Sequence, residues 1–529
     1  MRNAYLWGSV VVAIIFLLVL MRLAHYEDGP PPHQNVSLPG GMPATLYLPG
    51  ASNRPGPDNL FYDIVPKPPE QRPAAVVLVH GYSSDRVFMS TLARRIARNG
   101  YGVLAIDVRG HGENRNSFAD NQTGDGLRED VKNAVEFLRQ STRVDGSRIV
   151  VMGHSMGAGA VLDYATHDAS LKGAVMISGG FSLDGPERPR NALFIFAEND
   201  PAFLHNLSDM LAAHIVGVEK IERGKLYGDF AAGTAVESVE MPGLNHITIG
   251  WSADAAGTII QWLDGCFGIK HVAAPKLKDP RLSLASICMA LFTLLLIPIG
   301  RVCAGMTTAW ERRTPTNIGW LGLAALAIAL LVAMPLNMTA PEASFLSIYD
   351  GHVVVSWLAI AGAMLLVGIA VLRPEELRRL SGGFGATLFA AAIAFGAIVV
   401  LSGAYDVTVH RPELTPERLI VMLLASFLML PFFLSFELML RRGATTMATV
   451  VSSIGRVIIV AAIAFGLWAG TIPFVLGLIL PLFLVQFTMF EVFATAVYSV
   501  SSNLMLIAMV ETIWFARTAA LSWPIIFKF

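Results

Sequence analysis

Residues 148–159 read RIVVMGHSMGAG. A short apolar, β-branched run leads into Gly153-His154-Ser155-Met156-Gly157, a G-x-S-x-G set between a predicted strand and a predicted helix over 156–167. A chain turning that sharply leaves no room for side chains two residues either side of the serine, hence the glycines. The turn lifts the Ser155 hydroxyl off the strand, and the helix N-terminus beneath it favours developing negative charge. His154, the next residue back, should point away from it. A pattern of five residues could also be a chance glycine-serine turn, so its surroundings decide the reading.

Outward from this turn, short apolar runs alternate with amphipathic stretches. Strands are predicted at 44–49, 59–65, 74–80, 102–108, 148–154, 173–179, 191–197 and 235–241. Helices are predicted at 85–99, 126–140, 156–167, 202–217 and 252–265. The later strands are continuously apolar, as strands buried on both faces are. Alternation of this kind predicts an α/β domain with a doubly wound, mostly parallel sheet.

A serine needs a base, and the base an orienting acid. Where a G-x-S-x-G carries them in the order serine, acid, histidine, each follows a strand. The strand NALFIFA ends in Glu198-Asn199-Asp200-Pro201, and AVESVEM ends in Pro242-Gly243-Leu244-Asn245-His246. Glu198 and Asp184 are rival acids. His205 and His214 are rival bases, both read as solvated helix positions. Asp200 could also simply cap a helix.

On these residues the stretch 44–265 resembles the α/β-hydrolase fold, in its lidless esterase, dienelactone-hydrolase and serine-peptidase-like branches. AENDP looks like that family's acid turn, PGLNH like its histidine loop, His80-Gly81 like its oxyanion loop, and DVRGHGEN (107–114) like the stretch after its fourth strand. The resemblance implies Ser155 as nucleophile, Asp200 as acid and His246 as base. It also implies the backbone N–H groups of Tyr82 and Met156 as oxyanion donors. Tyr82 could line the pocket as well. Asp107, Arg109 and His111 are expected to hold the oxyanion loop. A serine triad needs no cofactor, and no metal-ligand spacing is present.

The remaining sequence is of another kind. The chain has 529 residues, 54% hydrophobic and only 15% charged, against roughly 25% charged in soluble domains. A net charge of −1 shows no nucleic-acid footprint. Three cysteines (Cys266, Cys288, Cys303) make no disulfide framework. The run 6–21 is uncharged, follows Arg2 and lacks a convincing cleavage site, so it is read as an uncleaved signal anchor. Further spans are predicted at 283–304, 317–336, 352–372, 383–404 and 419–440, with two or three more in 454–516. Small residues in 383–404 suit close helix packing. The division is an anchor (1–26), an α/β domain (27–278) entered through the Pro/Gly-rich GPPPHQNVSLPGGMP, and an all-α membrane domain (279–529).

Arginines set the orientation. If the N-terminus is cytoplasmic, inner loops carry Arg301, Arg312, Arg313, Arg373, Arg378, Arg379, Arg441, Arg442 and Arg456, while outer loops carry only Arg411 and Arg418. The α/β domain is then expected to face the periplasm or exterior of a multi-pass protein in a bacterial inner or plasma membrane.

The connection 181–190 is too short for a lid, so an open site is expected. The expected function is hydrolysis of an ester or related acyl bond of a small or lipid-like substrate held at membrane lipid. Acyl transfer to a cell-envelope acceptor is one alternative. A transporter or sensor with a hydrolase-like binding module is another, with Glu437, Glu491 and Glu511 as intramembrane candidates. Asp350-Gly351-His352 should lie at an outer membrane edge, near the α/β domain or merely capping a helix. Nothing in the sequence fixes an oligomeric state.

Overall fold

A computed structural model of the chain describes residues 2–27, 29, 31–50, 71–118, 125–180, 183, 185–270, 277–312, 318–339, 346–378, 380, 382–406, 408–410 and 414–526. The predicted strand at 59–65, the rival acid Asp184, and Arg313, Arg379 and Arg411 lie outside these residues.

An eight-stranded sheet forms the centre of the first half: β1 (His33–Leu38), β2 (Met42–Tyr47), β3 (Ala74–Val79), β4 (Gly102–Ile106), β5 (Asp145–His154), β6 (Gly173–Ile177), β7 (Ala192–Ala197) and β8 (Val236–Met241). Its order is β1-β2-β4-β3-β5-β6-β7-β8. β1 and β2 run antiparallel to their neighbours, and every later pairing is parallel. β3 shows why such strands read as continuous apolar runs. All six of its residues are buried, and they alternate between two cores. Ala75, Val77 and Val79 join the helices Asp125–Gln140, Met156–Ala165 and Ala202–Val216. Ala74, Val76 and Leu78 join the helices Ser90–Arg98 and Ala253–Phe267.

β1 is the strand the sequence reading placed in the linker. HQNVSL is polar and mostly exposed. It forms because β2 offers an edge to pair with, His33 opposite Tyr47 through Leu38 opposite Met42.

Among the described residues, nine helices are long and apolar enough to cross a membrane. The first is in Arg2–Glu27. The others are Arg281–Gly305, Ile318–Thr339, Gly351–Leu372, Phe384–Asp406, Pro416–Leu440, Thr445–Trp468, Leu480–Val500 and Leu504–Ser522. The ambiguous C-terminal stretch thus holds three, the first starting at Thr445 rather than 454. A 25-residue helix is about 37 Å long, enough for a hydrocarbon core of roughly 30 Å. The N-terminal helix packs on Arg281–Gly305, burying Phe16 and Leu23.

Close helix approach in Phe384–Asp406 rests on its alanines, with Ala390, Ala391 and Ala394 buried against neighbouring helices, rather than on its glycines. A Cβ on Gly385, Gly396 or Gly403 would meet nothing within 4 Å, whereas one on Gly362 would lie 2.4 Å from the Phe432 backbone nitrogen. Two arginines also change character. Arg456, read as an inner-loop charge, is buried within Thr445–Trp468, and Arg418, read as an outer-loop charge, is buried in the first turn of Pro416–Leu440.

Candidate active site

The sheet register brings the site residues to one edge. Val79 of β3 lies opposite Gly153, His154 opposite Ile177, Ile177 opposite Ile195, and Ala197 opposite Met241. Each segment of interest leaves the carboxyl end of one of these strands. Ser155 sits between β5 and its helix with φ 53° and ψ −116°. This strained conformation costs about 1–3 kcal/mol and persists only where its surroundings over-determine it. The Ser155 N–H donates to Ile177 O at 2.8 Å. A Cβ on Gly153 would fall 2.1 Å from Gly157 O, and one on Gly157 2.5 Å from His80 O. The turn closes only with glycine at both positions.

Asp200, after β7, is buried. His246, after β8, donates from Nδ1 to Asp200 Oδ1 at 2.7 Å. The other carboxylate oxygen accepts from Ser178 Oγ at 2.6 Å and from the Ala197 N–H at 2.9 Å. Burial opposes the Asp200 charge, but these hydrogen bonds and the facing imidazole outweigh it and hold the carboxyl below its usual range. The His246 Nε2 is buried without a hydrogen-bond partner among the described residues, and it lines the same cavity as Ser155. His154 also lines the cavity, beside the His246 ring, but its polar contact is structural. Its Nε2–H donates to His246 O at 2.8 Å, pinning the histidine loop, and burial pushes its pKa down to about 3.

The rivals are engaged elsewhere. Glu198 accepts from the Gly243 N–H at 2.7 Å, tying the acid turn to the histidine loop. His205 is half-buried rather than solvated, with Nε2 2.9 Å from Ala197 O. Asp107 accepts from the Arg86 N–H at 2.7 Å and from the Glu113 N–H at 3.0 Å, and Arg109 donates to Asp130 at 3.0 Å, so both hold the loop. His80 accepts the Val108 N–H at Nε2 (3.2 Å). Its proton is therefore on Nδ1, which donates to Gly81 O (2.7 Å) and shapes the turn before Tyr82. Met156 opens the helix after the elbow, and Tyr82 lines the cavity.

The cavity measures about 150 Å³. A single water needs roughly 10–15 Å³, so there is room for a substrate group. Half its wall was invisible to sequence reasoning. Ser83, Ser84, Phe88 and Trp251 come from the α/β domain, and His410, Ile479, Leu482, Phe483, Phe515 and Trp523 come from the helical half. The site is therefore not open, as the short 181–190 connection implied, because the helices cover it. No local signal marks these positions, since they meet only when the two halves dock.

That docking is extensive. Phe118 N–H donates to Ile525 O at 2.9 Å, and Ile525 N–H to Gly110 O at 3.0 Å. Arg418 donates to Gly110 O at 3.0 Å and to Trp523 O at 3.1 Å. Tyr82 Oη donates to Tyr349 O at 3.0 Å. The Asp350-Gly351-His352 corner thus abuts the α/β domain.

The profile of the family described as serine aminopeptidase, S33, matches residues 70–211. A cutinase (est2) of Thermobifida alba is 31% identical over 156 residues, 29% of this chain and 50% of that protein. A cutinase (cut1) of Thermobifida fusca is 30% identical over 176 residues, 32% and 54% of the two chains. The chain thus spans about half the length of these relatives. An esterase structure from Pyrobaculum calidifontis, 17% identical, covers 49% of this chain and 93% of its own, with a TM-score of 0.33. The matched residues 70–211 take in this elbow and most of this sheet, and the α/β domain that the chain carries beside its membrane-length helices has the α/β-hydrolase fold.

Proposed function

We propose that this protein is a membrane-embedded serine ester hydrolase. The observation that carries the reading is the Asp200–His246 hydrogen bond, which leaves the His246 Nε2 unpartnered in the cavity that Ser155 enters from a strained turn. In this mechanism Ser155 Oγ attacks the ester carbonyl as its proton passes to His246 Nε2. Asp200 fixes the imidazole through Nδ1–H and stabilises the imidazolium. The tetrahedral oxyanion is held by the N–H groups of Tyr82 and Met156, each contributing about 3 kcal/mol. Collapse expels the alcohol, which takes the proton from Nε2 and leaves acyl-Ser155. Water, deprotonated by His246, then releases the acid. A pure binding module has no use for a strained serine or for a buried carboxylate behind an unpartnered imidazole.

The apolar wall supplied by the helices favours the acyl chain of an amphiphile at the membrane surface. Relatives named as cutinases support an ester rather than an amide. The α/β domain is assigned to the extracytoplasmic face of a bacterial inner membrane. Arg301, Arg312, Arg373, Arg378 and Arg442 lie at the helix ends away from the α/β domain, as cytoplasmic charges would.

The test is labelling of the purified full chain with a fluorophosphonate. Ser155→Ala should abolish labelling. His246→Ala and Asp200→Asn should slow it by about 10⁴-fold or more. Folded wild-type protein that does not label overturns the reading.

A further inference from the structure

The cavity holds a second carboxylate–imidazole pair, and its two members come from different halves of the molecule. Asp85, in the loop after β3, accepts from the N–H groups of Val87 and Phe88 with Oδ1, both at 3.0 Å. Its Oδ2 lies 2.8 Å from Nδ1 of His410, in the connection between the helices Phe384–Asp406 and Pro416–Leu440. Among the described residues, the far nitrogen, His410 Nε2, is buried without a hydrogen-bond partner, as are the hydroxyls of Ser83 and Ser84. All three residues line the cavity that contains Ser155 and His246.

A buried polar group left unsatisfied costs about 1–3 kcal/mol. Three such groups on one wall mark a place that a ligand completes. They are not needed for acyl transfer, for which Ser155, His246 and Asp200 suffice. Two are hydroxyls free to donate. The third is an imidazole whose Nδ1 is committed to a carboxylate, so any proton on Nε2 is offered to the cavity. Burial disfavours charge on His410, but Asp85 and Asp406 outweigh it and hold the imidazolium above its usual range. The wall formed by Ile479, Leu482, Phe483 and Phe515 is apolar and suits the acyl chain. The polar end is left for the other part of the ester.

We propose that His410, Ser83 and Ser84 form a subsite for an anionic oxygen, such as a phosphoryl oxygen, on the non-acyl part of the ester, so that the helical half selects the substrate's head as well as its chain. This rests on the serine-hydrolase reading above.

Purified full-length protein in detergent is given two esters of one acyl chain length: a 1-acylglycerol 3-phosphate and the matching monoacylglycerol. Fluorophosphonate labelling of the wild type is run on the same preparation. Wild type should prefer the anionic ester in kcat/KM, and His410→Gln should cut that preference about tenfold. A Ser83→Ala/Ser84→Ala double variant leaves the Asp85–His410 pair intact. It should reduce the same ratio at least threefold, which covers the case in which His410→Gln does not fold. A wild type that labels yet handles both esters equally, or turns over neither, overturns the subsite and leaves the serine reading standing. So does an anionic preference that survives in both variants. A wild type that does not label overturns the serine reading itself.

Discussion

At the scale of single residues, the site depends on backbone atoms that cannot move aside. A Cβ on Gly157 would face His80 O at 2.5 Å and Val79 O at 2.7 Å, both fixed by the loop that leads to Tyr82. Gly157→Ala should therefore destabilise the α/β domain by about 1–3 kcal/mol or more and slow fluorophosphonate labelling, because relief means shifting either the elbow or the oxyanion loop. Thermal unfolding and labelling rate measured together check this, and a variant that melts and labels like wild type would contradict it. Ser178 tests the carboxylate side. Its positive φ of 49° aims Oγ at Asp200 Oδ2, leaving the second oxygen to His246. Ser178→Ala removes a hydrogen bond to a charged group, a loss of about 1.5–3 kcal/mol. It should lower kcat more than it raises KM, since in the proposed mechanism Asp200 orients His246 and does not bind substrate. The elbow and both strand-end turns were legible in the sequence because each is a contiguous motif with its own local reason. Ser83, Ser84 and His410 were not, because an unsatisfied hydroxyl becomes visible only once its surroundings are known.

At the scale of elements, the helical half is joined by charges as well as by apolar packing. Arg441 donates to Glu491 at 2.9 Å, and Arg456 donates to Glu491 at 2.9 Å and pairs with Glu511 and Glu437. Ser452 adds a bond to Glu491 at 2.9 Å. This network ties together Pro416–Leu440, Thr445–Trp468, Leu480–Val500 and Leu504–Ser522. Removing one partner of a buried pair costs about 3–5 kcal/mol, because the others are left charged and uncompensated. Glu491→Gln should therefore lower the melting temperature of the detergent-solubilised chain sharply, while Ser155 in the surviving folded fraction still labels. Full stability in Glu491→Gln would mean the network does not hold the helices together. The carboxylates stood out in the sequence as apolar-run anomalies. Their partners did not: Arg456 reads as a loop charge until the helix Thr445–Trp468 is seen to run through it. β1 was hidden for a related reason. Its polar HQNVSL becomes a strand through the edge that β2 offers, not through its own pattern.

At the scale of the whole molecule, the helical half supplies much of the wall of the candidate active site. Asp85–His410 is an ionic link between the two halves at the cavity itself, and its titration bears on when docking is strongest. Burial works against the Asp85 charge, but His410 and the N–H donors overcome it and bring the carboxyl down to about 2. A depressed carboxyl contributes stability that is present above its unfolded pKa of about 3.9 and is lost as pH falls through the folded value. His410 is raised, so its contribution is full below its unfolded pKa of about 6.5 and is lost as pH rises through the folded value. The pair is therefore complete between roughly pH 4 and 6.5. Asp406, Arg418, His80 and His111 also act on His410. His80 and His111 are both pushed down by burial and stay neutral above pH 6.5, so they add no slope there. Raising the pH from 6 to 9 should then lower the melting temperature of the full chain by a few degrees, on the scale of ~2–4 °C per kcal/mol for a domain of this size. In His410→Gln this slope should shrink, because the group that loses its proton is gone. In Asp85→Asn it should also shrink, because the imidazolium no longer gains from a facing carboxylate. Equal slopes in all three proteins would show that the two halves are held by contacts that do not titrate over this range, Arg418 to Gly110 O and the Ile525 backbone pairing among them.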